Sequence, residues 1–221
     1  MIINGTSGND KLLGTSKNDS LYGLLGDDEL HSGGGDDLLE GGKGNDTLDG
    51  GDNNFGKGSG DTASYAKATD AVIVNLAIGT ATGGEGNDTL INIENITGSA
   101  FSDTLTGDFN DNELYGGKGD DTLSGDDGDD ILTGGLGNDF LDGGGKTDTV
   151  SYSDAAGAVI VSLASGQATG GAGKDFLFNF ENIFGSSYAD TLTGDANSNQ
   201  LDGGAGNDSL SGGVGFDTLR G

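Results

Sequence analysis

A large apolar residue returns every nine positions along much of this 221-residue chain: Leu12, Leu21, Leu30, Leu39 and Leu48, and later Leu123, Leu132, Leu141 and Val150. That period is far from the 3.6 of an amphipathic helix, and the residues between are rich in glycine, which is costly inside one. The leucines sit in triplets of the Thr-Leu-Asp and Thr-Leu-Ser kind, such as 47–49 and 122–124. Each triplet predicts a three-residue strand whose central side chain faces one way and whose neighbours face the other. Strands so short are stable only when stacked between equivalent strands above and below, so the pattern predicts an all-β solenoid.

A second period of 87 residues lies over the first. Asp61-Thr62-Ala63-Ser64-Tyr65 is answered by Asp148-Thr149-Val150-Ser151-Tyr152, Val72–Leu76 by Val159–Leu163, and 103–108 recurs letter for letter at 190–195. The chain is expected to form a single elongated β-roll over 1–221. Nonapeptide blocks cover 5–50, 103–150 and 190–221, and divergent segments cover 51–102 and 151–189. Asp61 to Asp88 and Asp148 to Asp175 are both 27 residues, three times nine, which predicts enlarged coils of the same architecture instead of separate globular domains. Steps of 15 residues break the count at Asp46–Asp61, Asp88–Asp103 and Asp175–Asp190, and the first of them contains an insertion, Asn53–Gly58, that the second copy lacks.

Two residues before each apolar position stands an aspartate: Asp10, Asp19, Asp28, Asp37 and Asp46, then Asp121, Asp130, Asp139 and Asp148. The frame is Gly-Gly-x-Gly-x-Asp, as in Gly41-Gly42-Lys43-Gly44-Asn45-Asp46. Glycines there let the chain adopt positive φ and aim successive carbonyls inward. Carbonyls plus one carboxylate make half of a site for calcium, a hard cation that takes about 6–8 oxygens. The other half must come from a neighbouring turn. With two nonapeptides per coil, turns on one side are 18 residues apart, so Asp10, Asp28 and Asp46 form one file and Asp19 with Asp37 the other. In the second block Asp103, Asp121 and Asp139 face Asn112, Asp130 and Asp148. Asp61, Asp88, Asp175, Asp190, Asn199, Asp208 and Asp217 complete the candidate ligands, and Asn112 and Asn199, which lack the charge, predict weaker or altered sites.

Composition makes a multivalent cation the simplest counter-charge for a folded chain. The chain carries 37 acidic against 9 basic residues, a net charge of -28, with 32% hydrophobic residues, no tryptophan, no proline and no cysteine. Without a counter-ion it sits near the composition of disordered chains, and its charges oppose any compact state. So acidic a surface is a poor partner for nucleic acid or anionic membranes. No apolar run is long enough to span a bilayer, and no cleavable signal sequence is visible at the N-terminus, so export is expected by another route.

The repeat GGxGxDxUx, with U a large apolar residue, closely resembles the RTX, or hemolysin-type calcium-binding, repeat family of bacterial secreted proteins. The resemblance covers nearly the whole chain. It implies a right-handed parallel β-roll with two nonapeptides per coil and two enlarged divergent segments, several bound calcium ions, and export of the unfolded chain through a type I channel. The expected function is a non-catalytic calcium-binding module of a secreted or cell-surface protein. Two other readings are the C-terminal tail of a secreted protease, lipase or epimerase whose catalytic domain lies elsewhere, and a surface adhesin or scaffold spacer. About 12 coils at ~4.8 Å would give a rod of roughly 55–60 Å. Its open ends would favour end-to-end association or continuation into a larger parent chain. Gly221 falls one residue into a new nonapeptide, with no distinct cap before it.

No catalytic constellation is visible: there is no HExxH, phosphate loop or nucleophile elbow. His31, the only histidine, stands at the last position of a repeat and is expected on the outer face. Glu94 and Glu181 are related by the 87-residue duplication and read as polar groups flanking strands, not as a catalytic pair. Tyr65 and Tyr152 read as closing an apolar layer.

Overall fold

The computed structural model describes residues 1–51 and 60–221; the Asn53–Gly58 insertion lies outside them. All regular structure among the described residues is β-strand, in two sheets that the chain visits in turn. Most strands are three residues long, and within the nonapeptide blocks they pair in parallel with the strand 18 residues on: Ile3 opposite Leu21, Leu12 opposite Leu30, Leu105 opposite Leu123. One coil is therefore two nonapeptides, as the aspartate spacing predicts, and the fold is an all-β parallel β-roll.

The central residue of each triplet faces between the sheets. Leu21, Leu39, Leu114, Leu132 and Leu201 form one row and Leu30, Leu48, Leu105, Leu123 and Leu141 the other, all fully buried. A buried leucine contributes about 1.5–3 kcal/mol. One per triplet on each side holds a core that neither sheet could form alone. His31 lies on the outer face among Lys11, Glu29 and Asp49.

The divergent segments are enlarged coils, but not parallel ones throughout. After Thr62–Ser64 in the first sheet, the chain crosses to the second as Val72–Asn75, returns antiparallel as Thr80–Gly83, and reverses again as Gly86–Ile91. Gly86–Ile91 pairs in parallel with Thr47–Asp49, and Val72–Asn75 with Thr104–Thr106, so a three-strand meander sits inside the ladder in reversed order. Val72, Val74, Ala81 and Leu90 face the core, while Ile73 faces out. Gly79, at φ 65°, makes the first reversal. The second copy repeats this with Val159–Ser162, Gln167–Gly170 and Lys174–Phe178 between Phe140–Asp142 and Thr191–Thr193. Among the described residues the first sheet thus has 11 strands and the second 14. The first sheet is close to the expected stack of about 12 coils, and the second has more strands because each meander adds to one face only.

Candidate metal sites along the turns

The turns between the sheets carry the predicted aspartates, and a hydrogen bond links each to its counterpart one coil on. The backbone N–H of Asp10 donates to Asp28 Oδ1 at 2.8 Å, and that of Asp28 to Asp46 Oδ1 at 2.8 Å. Asp19 reaches Asp37 in the same way at 2.6 Å along the opposite edge. In the second block Asp103, Asp121 and Asp139 are linked at 2.8 and 2.9 Å, and Asn112, Asp130 and Asp148 at 2.7 and 2.8 Å. Asp190 to Asp208 and Asn199 to Asp217 continue the pattern at 2.9 and 3.0 Å. Through the divergent segments the files keep contact at other spacings: Asp37 to Asp61 at 2.8 Å, Asp46 to Asp88 at 2.9 Å and Asp139 to Asp175 at 3.1 Å. Every residue singled out in the sequence falls on one of these two edges.

The second carboxylate oxygen is where the chemistry lies. Oδ2 of Asp28, Asp37, Asp46, Asp121, Asp130, Asp139 and Asp208 is buried and accepts no hydrogen bond. Leaving a buried charged acceptor unsatisfied is among the costlier things a fold can do. Around all but that of Asp37, whose turn has Ser32 at the equivalent position, lies a cradle of backbone closed by a glycine. A Cβ on Gly23 would stand 2.4 Å from Asp28 Oδ2 and 2.5 Å from the Gly41 carbonyl, one coil on; a Cβ on Gly116 would stand 2.5 Å from Asp121 Oδ2 and 2.6 Å from the Gly134 carbonyl. In those turns the glycine leaves that space open. No group of three or more Asp, Glu, His or Cys side chains converges among the described residues, so a cation held here would take one carboxylate per turn and carbonyls for the rest. That oxygen-only donor set fits calcium.

Burial pushes the carboxyls of Asp46, Asp130 and Asp139 up to about 7 and that of Asp121 to about 6, and charged neighbours along the file add to the rise. Asp28, Asp88 and Asp175 are raised for the same first reason. Asp19 is lowered instead, because the ammonium of Met1 bonds to its carboxylate.

Four residues have roles that the sequence reading missed. Tyr65 and Tyr152 are buried as expected, but their hydroxyls donate to Oδ2 of Asp88 at 3.0 Å and of Asp175 at 2.9 Å, so they satisfy the carboxylate at the end of a file. Glu94 and Glu181 are more than polar groups beside a strand. Their Oε2 atoms accept the N–H groups of Asp61 and Asp148, both at 2.9 Å, which is the position a further aspartate of the file would take. The signal was present: all four recur at the 87-residue spacing, and Glu94 and Glu181 fall inside the 15-residue steps where the nine-residue count fails.

A family model for the RTX calcium-binding nonapeptide repeat matches residues 4–39, 31–54, 80–91, 92–123, 115–150 and 184–219, well over half of the chain. No curated protein matches it. Among solved structures, the extracellular lipase LipA from Serratia marcescens aligns over 89% of this chain at 21% identity with a TM-score of 0.30. The chain spans 31% of that lipase's length.

Proposed function

The chain belongs to the RTX calcium-binding nonapeptide repeat family, and on that premise we propose that it is a non-catalytic module that folds by binding calcium along its two edges. Ions lie between consecutive coils, each held by a file aspartate and the carbonyls of its own turn and the next. The observation that carries this reading is the set of buried Oδ2 atoms that accept no hydrogen bond, all but that of Asp37 beside a glycine that brings a backbone carbonyl close. A cation there would satisfy the carboxylate, offset part of the -28 charge and remove the repulsion along each file.

Binding of this kind is coupled to folding, because the site exists only once two coils are stacked. Extracellular calcium modules have dissociation constants of roughly 10⁻⁴–10⁻³ M, above cytosolic calcium. The chain would then stay unfolded inside the cell and fold outside it, in keeping with a secreted or cell-surface location. Far-ultraviolet circular dichroism tests this directly. The strand signal is expected to be largely lost in excess chelator and restored by millimolar calcium, and equal strand content in both conditions would refute the proposal.

A further inference from the structure

Apart from the turns of Asp88 and Asp175, where a tyrosine serves the carboxylate, two kinds of turn recur along the files, distinguished by the residue four places before the aspartate. Ahead of Asp28, Asp37, Asp46, Asp121, Asp130, Asp139 and Asp208 that residue has positive φ, from 71° to 107°. These are the turns whose Oδ2 accepts no hydrogen bond. The conformation is kept even where the residue is not glycine: Leu24 stands at 83° and Asp126 at 71°. Positive φ is unfavourable for a residue other than glycine, and such strain gathers at functional sites.

Ahead of Asp10, Asp19, Asp103 and Asp190 the residue is Thr6, Thr15, Ser99 or Ser186, none of which has positive φ. Its N–H and its hydroxyl both donate to the carboxylate: at 2.6 and 2.8 Å from Thr6, 2.6 and 2.7 Å from Thr15, 2.5 and 2.8 Å from Ser99, and 2.6 and 2.8 Å from Ser186. Negative φ turns the N–H into the site, and the hydroxyl supplies a second charge-assisted bond, so protein donors do what an ion does elsewhere. Asn112 and Asn199 are satisfied too. Their Oδ1 atoms accept the N–H of Asp108 at 2.7 Å and of Asp195 at 2.8 Å, and their Nδ2 atoms donate to the carbonyls of Glu94 at 2.8 Å and Glu181 at 3.0 Å.

Resting on the calcium reading above, we infer that the residue four before each aspartate sets whether a turn takes calcium, and that the first coil of each block is built to do without it. Asp10 with Asp19, Asp103 with Asn112, and Asp190 with Asn199 are those coils. Ions are confined to the turns that follow. Each block then starts from a coil closed by its own hydroxyls and amides, onto which the ion-dependent coils stack.

Calorimetric titration of the full chain with calcium chloride tests the rule, with circular dichroism at saturating calcium confirming that each variant is folded. Asp121→Asn and Asp208→Asn are expected to bind fewer ions than the parent, while Asp103→Asn and Asp190→Asn bind the same number. Equal losses in the two pairs would overturn the inference. Ser99→Gly removes the hydroxyl and admits positive φ, so it is expected to gain an ion, and an unchanged count in the folded variant would also overturn it. A parent chain that takes up no calcium would sink the calcium reading itself, whereas a normal parent with loss in Asp103→Asn sinks only the rule.

Discussion

At the scale of the residue, the carboxylates of the open turns set how the metal-free chain responds to pH. Asp46, Asp130 and Asp139 titrate near 7 and Asp121 near 6 in the folded chain, while the unfolded values lie near 4. A carboxyl raised on folding favours the folded state most below its unfolded value, and that contribution is lost as pH rises through its folded value. In chelator, folded content is therefore expected to increase as pH falls from about 7 to about 4. With calcium the dependence reverses, since the ion needs the ionised form. Circular dichroism against pH in the two conditions reads both signs. Gly41 offers a second test. A Cβ there would stand 2.3 Å from Asp46 Oδ2, so Gly41→Ala is expected to reduce calcium uptake on that edge by filling the cradle. The aspartates and glycines of this machinery were legible in the sequence, because their spacing is that of the motif. The hydroxyl-closed turns were not. Thr6 and Ser99 look like tolerated variation until the backbone shows where their N–H groups point.

At the scale of the element, a three-residue strand depends on the strands stacked against it. Leu123 is fully buried between Leu105 and Leu141. Leu123→Ala is expected to cost about 2–5 kcal/mol, seen as a lower urea midpoint in saturating calcium. The leucine rows were legible in full, since one apolar residue per nine fixes both the strand and its inward face. The antiparallel course of the meander was not. Val72–Leu76 reads equally well as a strand in either direction, and the outcome is decided by the reversals at 76–79 and 83–86, which the nonapeptide frame does not describe. Tyr152 belongs to this scale because it joins the meander to the file. Tyr152→Phe would leave Oδ2 of buried Asp175 without its donor, at a cost of about 1–3 kcal/mol by the same urea measurement.

At the scale of the whole molecule, charge and shape are both set by the repeat. A chain with net charge -28 should be expanded in chelator and compact in calcium, a change that small-angle scattering would read as a fall in radius of gyration. The compact form has a further property that comes from its two unequal sheets. Each meander puts three strands on the second face where an ordinary coil puts one, so the two add four steps of ~4.8 Å, about 19 Å, to that face alone. Two rails of unequal length joined by common rungs cannot run straight. The roll is expected to bow toward its shorter face at the two meanders, 87 residues apart, which the scattering profile of the calcium form would read against that of a straight rod. Any chain that repeats this unit would inherit the same bend at each copy and trace an arc, so the duplication fixes a radius of curvature as well as a length.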